Sequence, residues 1–176
     1  YLEVAGMTAA ISFTVRAATA SDLACVEALF AASYPELMRH AYAPATLSAA
    51  LPYMIRAKPG LVASGRFYIA STICGSVVSC GGWSVGAPDG SDPQSAHLRH
   101  FATHPAHIRQ GLGRAIGSRC AADAKAAGVS EPACFSSLNA EPFYSALGFV
   151  RDRTMQVMIG GEVPLPVIFM RMRILP

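Results

Sequence analysis

The chain has 176 residues, of which 52% are hydrophobic and 14% charged, with a formal net charge of +3. That is the length and apolar content of one domain with a filled core, and it excludes an intrinsically disordered segment. Lys and Arg are scattered rather than gathered into runs, so composition points to no nucleic-acid partner.

An uncharged stretch, 67–88, has the length of a membrane span, but Gly75, Gly81, Gly82, Gly86 and alternating serines interrupt it. Two strands fit it better, and no membrane partner is expected. The N-terminal residues lack the basic-then-apolar pattern of a secretory signal, which leaves a cytoplasmic location as the expectation. Met7 is a candidate start, with Tyr1–Gly6 an added or upstream piece. Cys25, Cys74, Cys80, Cys120 and Cys134 form an odd set without a CxxC pair. They read as reduced, small core residues rather than a zinc cluster or a disulfide framework, and no metal is expected.

In chain order, Ile11–Arg16 alternates as a strand, and ThrAlaSerAsp (19–22) is a capping box opening a helix with Leu23, Val26 and Phe30 on one face. A second helix is predicted from Pro44 to about Lys58, kinked or split at Pro52 and stopped by ProGly (59–60). Strands follow at 66–74 and 76–85, then a turn-rich loop at 86–94 and a strand at 96–104. A helix runs from about Gly111 to Ala127 with Gly128 as its C-terminal cap, and 132–137 is a short buried strand. Asn139 is the predicted N-cap of a short helix carrying Glu141 and Pro142 in its first turn. Strands at 149–159 and 163–173, joined by GlyGly (160–161), end the chain as a hairpin. The economical arrangement is one mixed α/β domain over residues 1–176.

The richest chemistry lies in ArgGlnGlyLeuGlyArg (109–114). Gly111 and Gly113 let the backbone approach a ligand, and the helix they open offers unpaired N–H groups and a partial positive charge. Arg109 and Arg114 add forks suited to phosphate oxygens. A pyrophosphate is the expected guest. A dinucleotide fingerprint would need a third glycine where Ile116 stands, and the Walker A lysine is absent. A tight helix opening without a ligand is the plain alternative.

ThrHisPro (103–105) with ArgGlnGlyLeuGlyArg (109–114), AsnAlaGluProPheTyrSerAlaLeuGlyPhe (139–149) and ArgAlaAlaThrAlaSerAspLeu (16–23) together make the chain resemble the GNAT superfamily of acetyl-CoA-dependent N-acetyltransferases. The resemblance implies a single GNAT-type domain: a mixed, mostly antiparallel sheet of six to seven strands flanked by about four helices. It implies acetyl transfer from acetyl-CoA to a primary amine of a small molecule or peptide by direct attack, without a metal. In the family's loop motif Q/R-x-x-G-x-G/A the first position is Ile108 here, so Arg109 and Gln110 would replace its polar contact. Carried over residue by residue, Arg109, Gln110, Gly111, Leu112, Gly113 and Arg114 would hold the diphosphate. Phe101, Ala102 and Thr103 would offer main-chain groups to the pantetheine arm, beside a splayed neighbour at 133–137. Asn139 and Phe143 would add contacts, though Asn139 is also an N-cap.

Tyr144 matches the tyrosine that points at the CoA sulfur and would act as the acid; a core tyrosine beside Phe143 and Leu147 is the alternative. An alkylammonium of pKa about 10.4 needs about 4.6 kcal/mol to become neutral at pH 7, so a base or a site that disfavours the cation should exist. His97 stands where histone-modifying members keep a general-base glutamate, and a structural histidine or a water chain are the alternatives. Strand alternation predicts His97, Arg99, Phe101 and Thr103 on one face and His100 on the other. Arg99 would bind a substrate carboxylate or pair with an internal acid. Tyr34, Glu36, His40 and Tyr42 fall where the acceptor side is commonly built. A non-catalytic acyl-CoA sensor and a nicotinamide oxidoreductase are the competing classes, and the oligomeric state, homodimer included, is left open.

Overall fold

The Thr19–Asp22 box folds as a reciprocal cap and decides where the first helix begins. The Asp22 carboxylate accepts the Thr19 N–H at 2.8 Å and two Arg16 guanidinium N–H groups, each at 2.8 Å. The structure is a computed structural model that describes residues 12–129 and 131–172. Strand β1 (Phe13–Ala17) leads through the capping box into α1 (Leu23–Met38), and α2 (Pro44–Met54) comes next. The helix expected to reach Lys58 stops at Met54. The Ile55 N–H makes the last i→i−4 bond, to Leu51 O at 3.0 Å, and the Arg56 N–H tightens to Tyr53 O at 3.3 Å, a 3₁₀-type turn that ends the ladder. The expected stop, ProGly (59–60), instead opens a single-turn helix, α3 (Pro59–Val62), with Pro59 in its first turn.

Strands β2 (Phe67–Thr72), β3 (Val77–Val85) and β4 (Ala96–Thr103) come after it, then α4 (Leu112–Ala126), β5 (Ala133–Ser136), α5 (Glu141–Ala146) and the hairpin β6 (Val150–Ile159) and β7 (Val163–Arg171). The predicted strand positions 11 and 173 and the Tyr1–Gly6 piece lie outside the described residues. The seven strands form one sheet in the order β1-β2-β3-β4-β5-β7-β6, antiparallel except between β4 and β5. This is the mixed, mostly antiparallel arrangement the family resemblance implies.

Each face of the sheet buries its own core. On one side Leu112, Ile116 and Cys120 of α4 pack on Trp83, Leu98, Tyr144 and Met170. On the other Val26, Leu29 and Phe30 of α1 pack on Phe67, Ile69, Cys80 and Ala102. A third cluster seats α2, through Leu47 and Ala50, on Leu165 and Val167 of β7. Cys80, Cys120 and Cys134 are buried core residues as expected, but Cys25 and Cys74 are exposed. Burial of three such side chains fills volume; the other two sit at positions that face water.

Two features of β4 create the site. Its pairing with β3 matches Gly82 to Arg99 and Cys80 to Ala102, so His100 and Phe101 together oppose Gly81 in a β-bulge. His100 takes a left-handed backbone, with φ 59, to make it. The second feature is a split: β5 pairs with β4 only at His97↔Ala133 and Leu98↔Cys134. Beyond Leu98 the two strands part, and the β4 edge from Arg99 to Thr103 has no strand partner on that side among the described residues.

The bulge overturns the expected alternation. His97, Arg99 and His100 lie on the α1 side, where His100 stacks on Phe30 at 5.6 Å. Phe101 turns to the α4 side with Leu98, and Thr103 follows it toward Gly113. One inserted residue reverses the face of every later side chain on the strand.

Candidate active site

A cavity of about 1350 Å³ follows the split between β4 and β5 from the start of α4 to the β6–β7 hairpin. Its first end is the loop after β4. Pro105–His107 forms one 3₁₀ turn, Arg109 takes φ 64, and Gly111 takes φ 81 as the N-cap of α4. No side chain caps this helix, so the amides of Leu112, Gly113 and Arg114 stand unpaired at its positive pole. A Cβ on Gly113 would come 3.0 Å from the Phe143 ring, so any larger residue there would press that ring away from the first turn of α4. Arg109 and Arg114 are exposed on the cavity wall with Ile108, Gly111, Leu112 and Gly113, whereas Gln110 is exposed outside it.

Midway along the cavity, Phe101, Ala102 and Thr103 present the unpaired edge of β4. Buried Ser79, which no sequence motif singles out, donates its hydroxyl to Ala102 O at 3.0 Å and lies 2.8 Å from Thr103 Oγ1. It pins the far end of the segment that β5 leaves unpaired. Phe143 packs tilted against Phe101, with ring centroids 5.5 Å apart, and lines the same space. Asn139 also lines it but does not cap α5. The helix starts at Glu141 with Ala140 as N-cap, one position later than predicted, so the Asn139 amide is left exposed at the cavity.

Tyr144 is 5% exposed and sits among Phe101, Phe143 and Phe149, with ring centroids 5.9, 5.0 and 5.7 Å away. It lines the cavity, and among the described residues its hydroxyl has no hydrogen-bond partner. Burial pushes its pKa well above the usual phenol value, so the hydroxyl keeps its proton. The ring is part of the core, and the residue also lines the cavity.

The sequence-predicted base is placed differently. His97 is 1% exposed, wedged against Phe135 at 5.1 Å and Phe169 at 6.2 Å, and is not among the cavity-lining residues. Burial lowers its pKa. His100 does line the cavity, yet burial, then the charges of Arg99 and Lys58, push it down to about 3, and its Nε2 is buried without a partner.

Of the four candidates for the acceptor side, Tyr34 lines the cavity, stacked on Phe30 at 5.0 Å. Glu36 pairs with Arg39 at 3.1 Å, and His40 accepts from Arg39 Nε at 3.0 Å, both on the exposed surface. Tyr42 is structural: its hydroxyl donates to Pro166 O at 2.8 Å and accepts the Leu138 N–H at 2.9 Å. The polar groups that do line this end are Arg56, Lys58, Asp89 and Arg99. Lys58 and Asp89 lie in connections whose path no local pattern announces. Among the described residues no group of three His, Cys, Asp or Glu side chains could hold a metal ion, and no helix is long and apolar enough to cross a membrane.

The sequence model of the Acetyltransferase (GNAT) domain family matches residues 63–151, which span β2 to the start of β6 and include both the loop and α5. The fold is similar to that of a GCN5-related N-acetyltransferase from Rhodopseudomonas palustris, with TM-score 0.75, 24% identity, and coverage of 96% of this chain and 100% of that one. It is also similar to the PaiA N-acetyltransferase of Thermoplasma acidophilum in complex with coenzyme A, with TM-score 0.69, 13% identity, and coverage of 93% and 100%. A mosquito arylalkylamine N-acetyltransferase like 5b gives TM-score 0.65 at 12% identity, with coverage of 93% and 100%. No curated protein matches the chain.

Proposed function

The chain belongs to the GNAT acetyltransferase family, and on that premise we propose that it moves an acetyl group from acetyl-CoA to a primary amine, on a small molecule or peptide, by direct attack. One observation carries the reading. The uncapped start of α4, the unpaired edge of β4 and the Tyr144 ring all border a single cavity. Gly111, whose φ of 81 only glycine adopts at little cost, and Gly113 keep the approach to the α4 amides clear, so the residues present fit a diphosphate.

When bound, acetyl-CoA supplies a thioester whose carbonyl carbon is open to an amine. The amides of Leu112, Gly113 and Arg114, with Arg109 and Arg114 side chains and Gln110 at the rim, hold the phosphates. The main-chain edge at Phe101, Ala102 and Thr103 extends the sheet onto the pantetheine arm, and a β4 N–H aimed at the carbonyl stabilises the charge that gathers there. Phe143 and Asn139 close the near wall. As the C–N bond forms and the C–S bond breaks, the Tyr144 hydroxyl hydrogen-bonds to the leaving sulfur. A phenol held above its ordinary value stays protonated beside a thiolate whose acid has pKa about 8.5, so Tyr144 acts by donating that hydrogen bond rather than by losing the proton.

His97 is the weaker candidate for the base, because Phe135 and Phe169 enclose it away from the cavity. The acceptor end meets the same demand through its charge: Lys58 and Arg99 disfavour an ammonium there and so favour the neutral, attacking amine. Buried free thiols at Cys80, Cys120 and Cys134 agree with a reducing, cytoplasmic setting.

Calorimetry with coenzyme A and with a nicotinamide cofactor tests the binding half of this reading, and CoA release over amines, amino acids, polyamines, aminoglycosides and peptides tests the chemistry. Binding of coenzyme A with acetyl transfer to one of these classes is expected. Binding without transfer would make the protein an acyl-CoA sensor, and affinity for the nicotinamide cofactor alone would overturn the assignment.

A further inference from the structure

Seven arginines in the described residues pair with a carboxylate. Arg99 does not. Its one hydrogen bond is from NH1 to Ser84 Oγ at 3.2 Å, and its Nε is buried with no partner. Lys58, on the connection before α3, lines the same cavity and has no acidic partner among the described residues. The two are close enough that the charge of Arg99, after burial, lowers the pKa of Lys58, and both charges act on His100. The internal acid that sequence allows as a partner for Arg99 is thus missing. The sole carboxylate lining the cavity among the described residues is the exposed Asp89, whose Oδ1 accepts the Ser91 N–H at 3.0 Å and the Ser91 hydroxyl at 2.7 Å and which forms no ion pair with Arg99 or Lys58.

Building on the acetyl-transfer reading, we propose that the acceptor is an amine that also carries a carboxylate, an amino acid with an apolar side chain, and that Arg99 and Lys58 hold its carboxylate. Arg99, partly buried with an unpartnered Nε, and the exposed Lys58 near it carry positive charge that no ion pair balances, and an anionic ligand would offset it. Beside Arg56, Asp89 and His100, this end has Leu37, Met38, Met54, Leu165 and Val167 as apolar walls, which suit a hydrocarbon side chain. The same walls disfavour a phosphate, because the desolvation of a dianion grows with the square of its charge. They also reject polyamines, which would bring further positive charge to Lys58 and Arg99.

Matched acceptors test this with acetyl-CoA-saturated protein: phenylalanine against phenethylamine, which lacks only the carboxylate, with O-phosphoethanolamine and spermidine beside them. Phenylalanine is expected to exceed phenethylamine in kcat/KM by about 10–100-fold, the range of a charge-assisted pair. Arg99→Met and Lys58→Met should each bring that ratio toward one by raising KM for phenylalanine. Since Arg99 also bonds Ser84, Lys58→Met at an exposed position keeps the test valid if Arg99→Met unfolds. Calorimetry of N-acetylphenylalanine on the CoA-bound protein gives a second readout, with weaker binding expected in both variants. Equal or better turnover of phenethylamine, spermidine or O-phosphoethanolamine, or product affinity unchanged in both variants, overturns the carboxylate assignment. Loss of coenzyme A binding in the wild type would instead overturn the underlying reading, and product binding that depends on Arg99 without any turnover would leave the anion site standing while removing the chemistry.

Discussion

The Phe101 ring lies over Gly81: a Cβ at that glycine would stand 2.7 Å from the ring carbons. Gly81 is the residue that the bulged pair His100 and Phe101 opposes, so the empty side of this glycine gives the ring its place. Gly81→Ala should push Phe101 against Phe143 and Tyr144, costing about 1–3 kcal/mol of stability, as overpacking does. Thermal unfolding reads the loss, and a drop in turnover larger than the drop in folded fraction would show that the wall of the cavity has moved. An unchanged melting temperature would mean the ring has a second resting place.

Tyr144→Phe removes one oxygen that has no protein partner among the described residues, so stability should hold or rise slightly. Turnover should fall by about a hundredfold, the lower range for loss of a positioned acid, with the Kd for coenzyme A within a factor of two or so of wild type. Because burial raises the phenol's pKa, the wild-type rate should show no loss from Tyr144 ionisation up to pH about 10. A variant as fast as wild type would reduce Tyr144 to a packing residue.

Gly111→Val places a β-branched side chain at φ 81, a strain of about 1–3 kcal/mol. The loop should relax away from the α4 amides and weaken coenzyme A binding. Gly90→Val is the matched control, since Gly90 takes φ 75 in the exposed loop between β3 and β4. It should lose stability and keep its affinity. Equal affinities in both variants would contradict the phosphate assignment.

Acid should unfold the protein in two stages. Burial holds His100 down to about 3, below its value in an unfolded chain of about 6.5. The folded state therefore refuses a proton that the unfolded state accepts, and stability present above pH about 6.5 declines as pH falls toward 3, by up to about 1.4 kcal/mol per unit. Asn tolerates a left-handed backbone, so His100→Asn should flatten this stage in denaturant titrations. The second stage belongs to Asp22, whose carboxylate is held low first by Arg16 and then by Thr19. Its contribution is present above pH about 3.9 and fades as pH falls below that. Asp22→Asn should remove it, lowering stability at neutral pH by about 1–3 kcal/mol.

Local signals are legible where one residue type answers one backbone need. Thr19 and Asp22 mark the first helix, Gly111 marks the start of α4, and Gly160 with Gly161 marks the last hairpin, because capping and positive φ are decided within a few residues. Arg99, His100 and Phe101 show the limit. Strand alternation is a property of one chain segment, whereas a bulge is set by the partner strand, here by the bare Gly81, so their faces cannot be read from β4 alone. His97, placed in the site by its position relative to the loop in the family resemblance, sits among aromatic rings. Asn139 slips by one position because Ala140 takes the cap geometry without any side-chain bond. Lys58 and Asp89 join the cavity only through the long-range path of connections, which carries no periodic signal at all.

The sheet is continuous in its strand order, but its two parts, β1–β4 and β5–β7, meet across only two residue pairs at its centre. A guest lying along the open seam would act as a missing rung, tying halves that otherwise share a short hinge. Donor occupancy would then stiffen the whole architecture rather than one loop, and the empty protein would breathe along the line on which the proposed function lays the thioester.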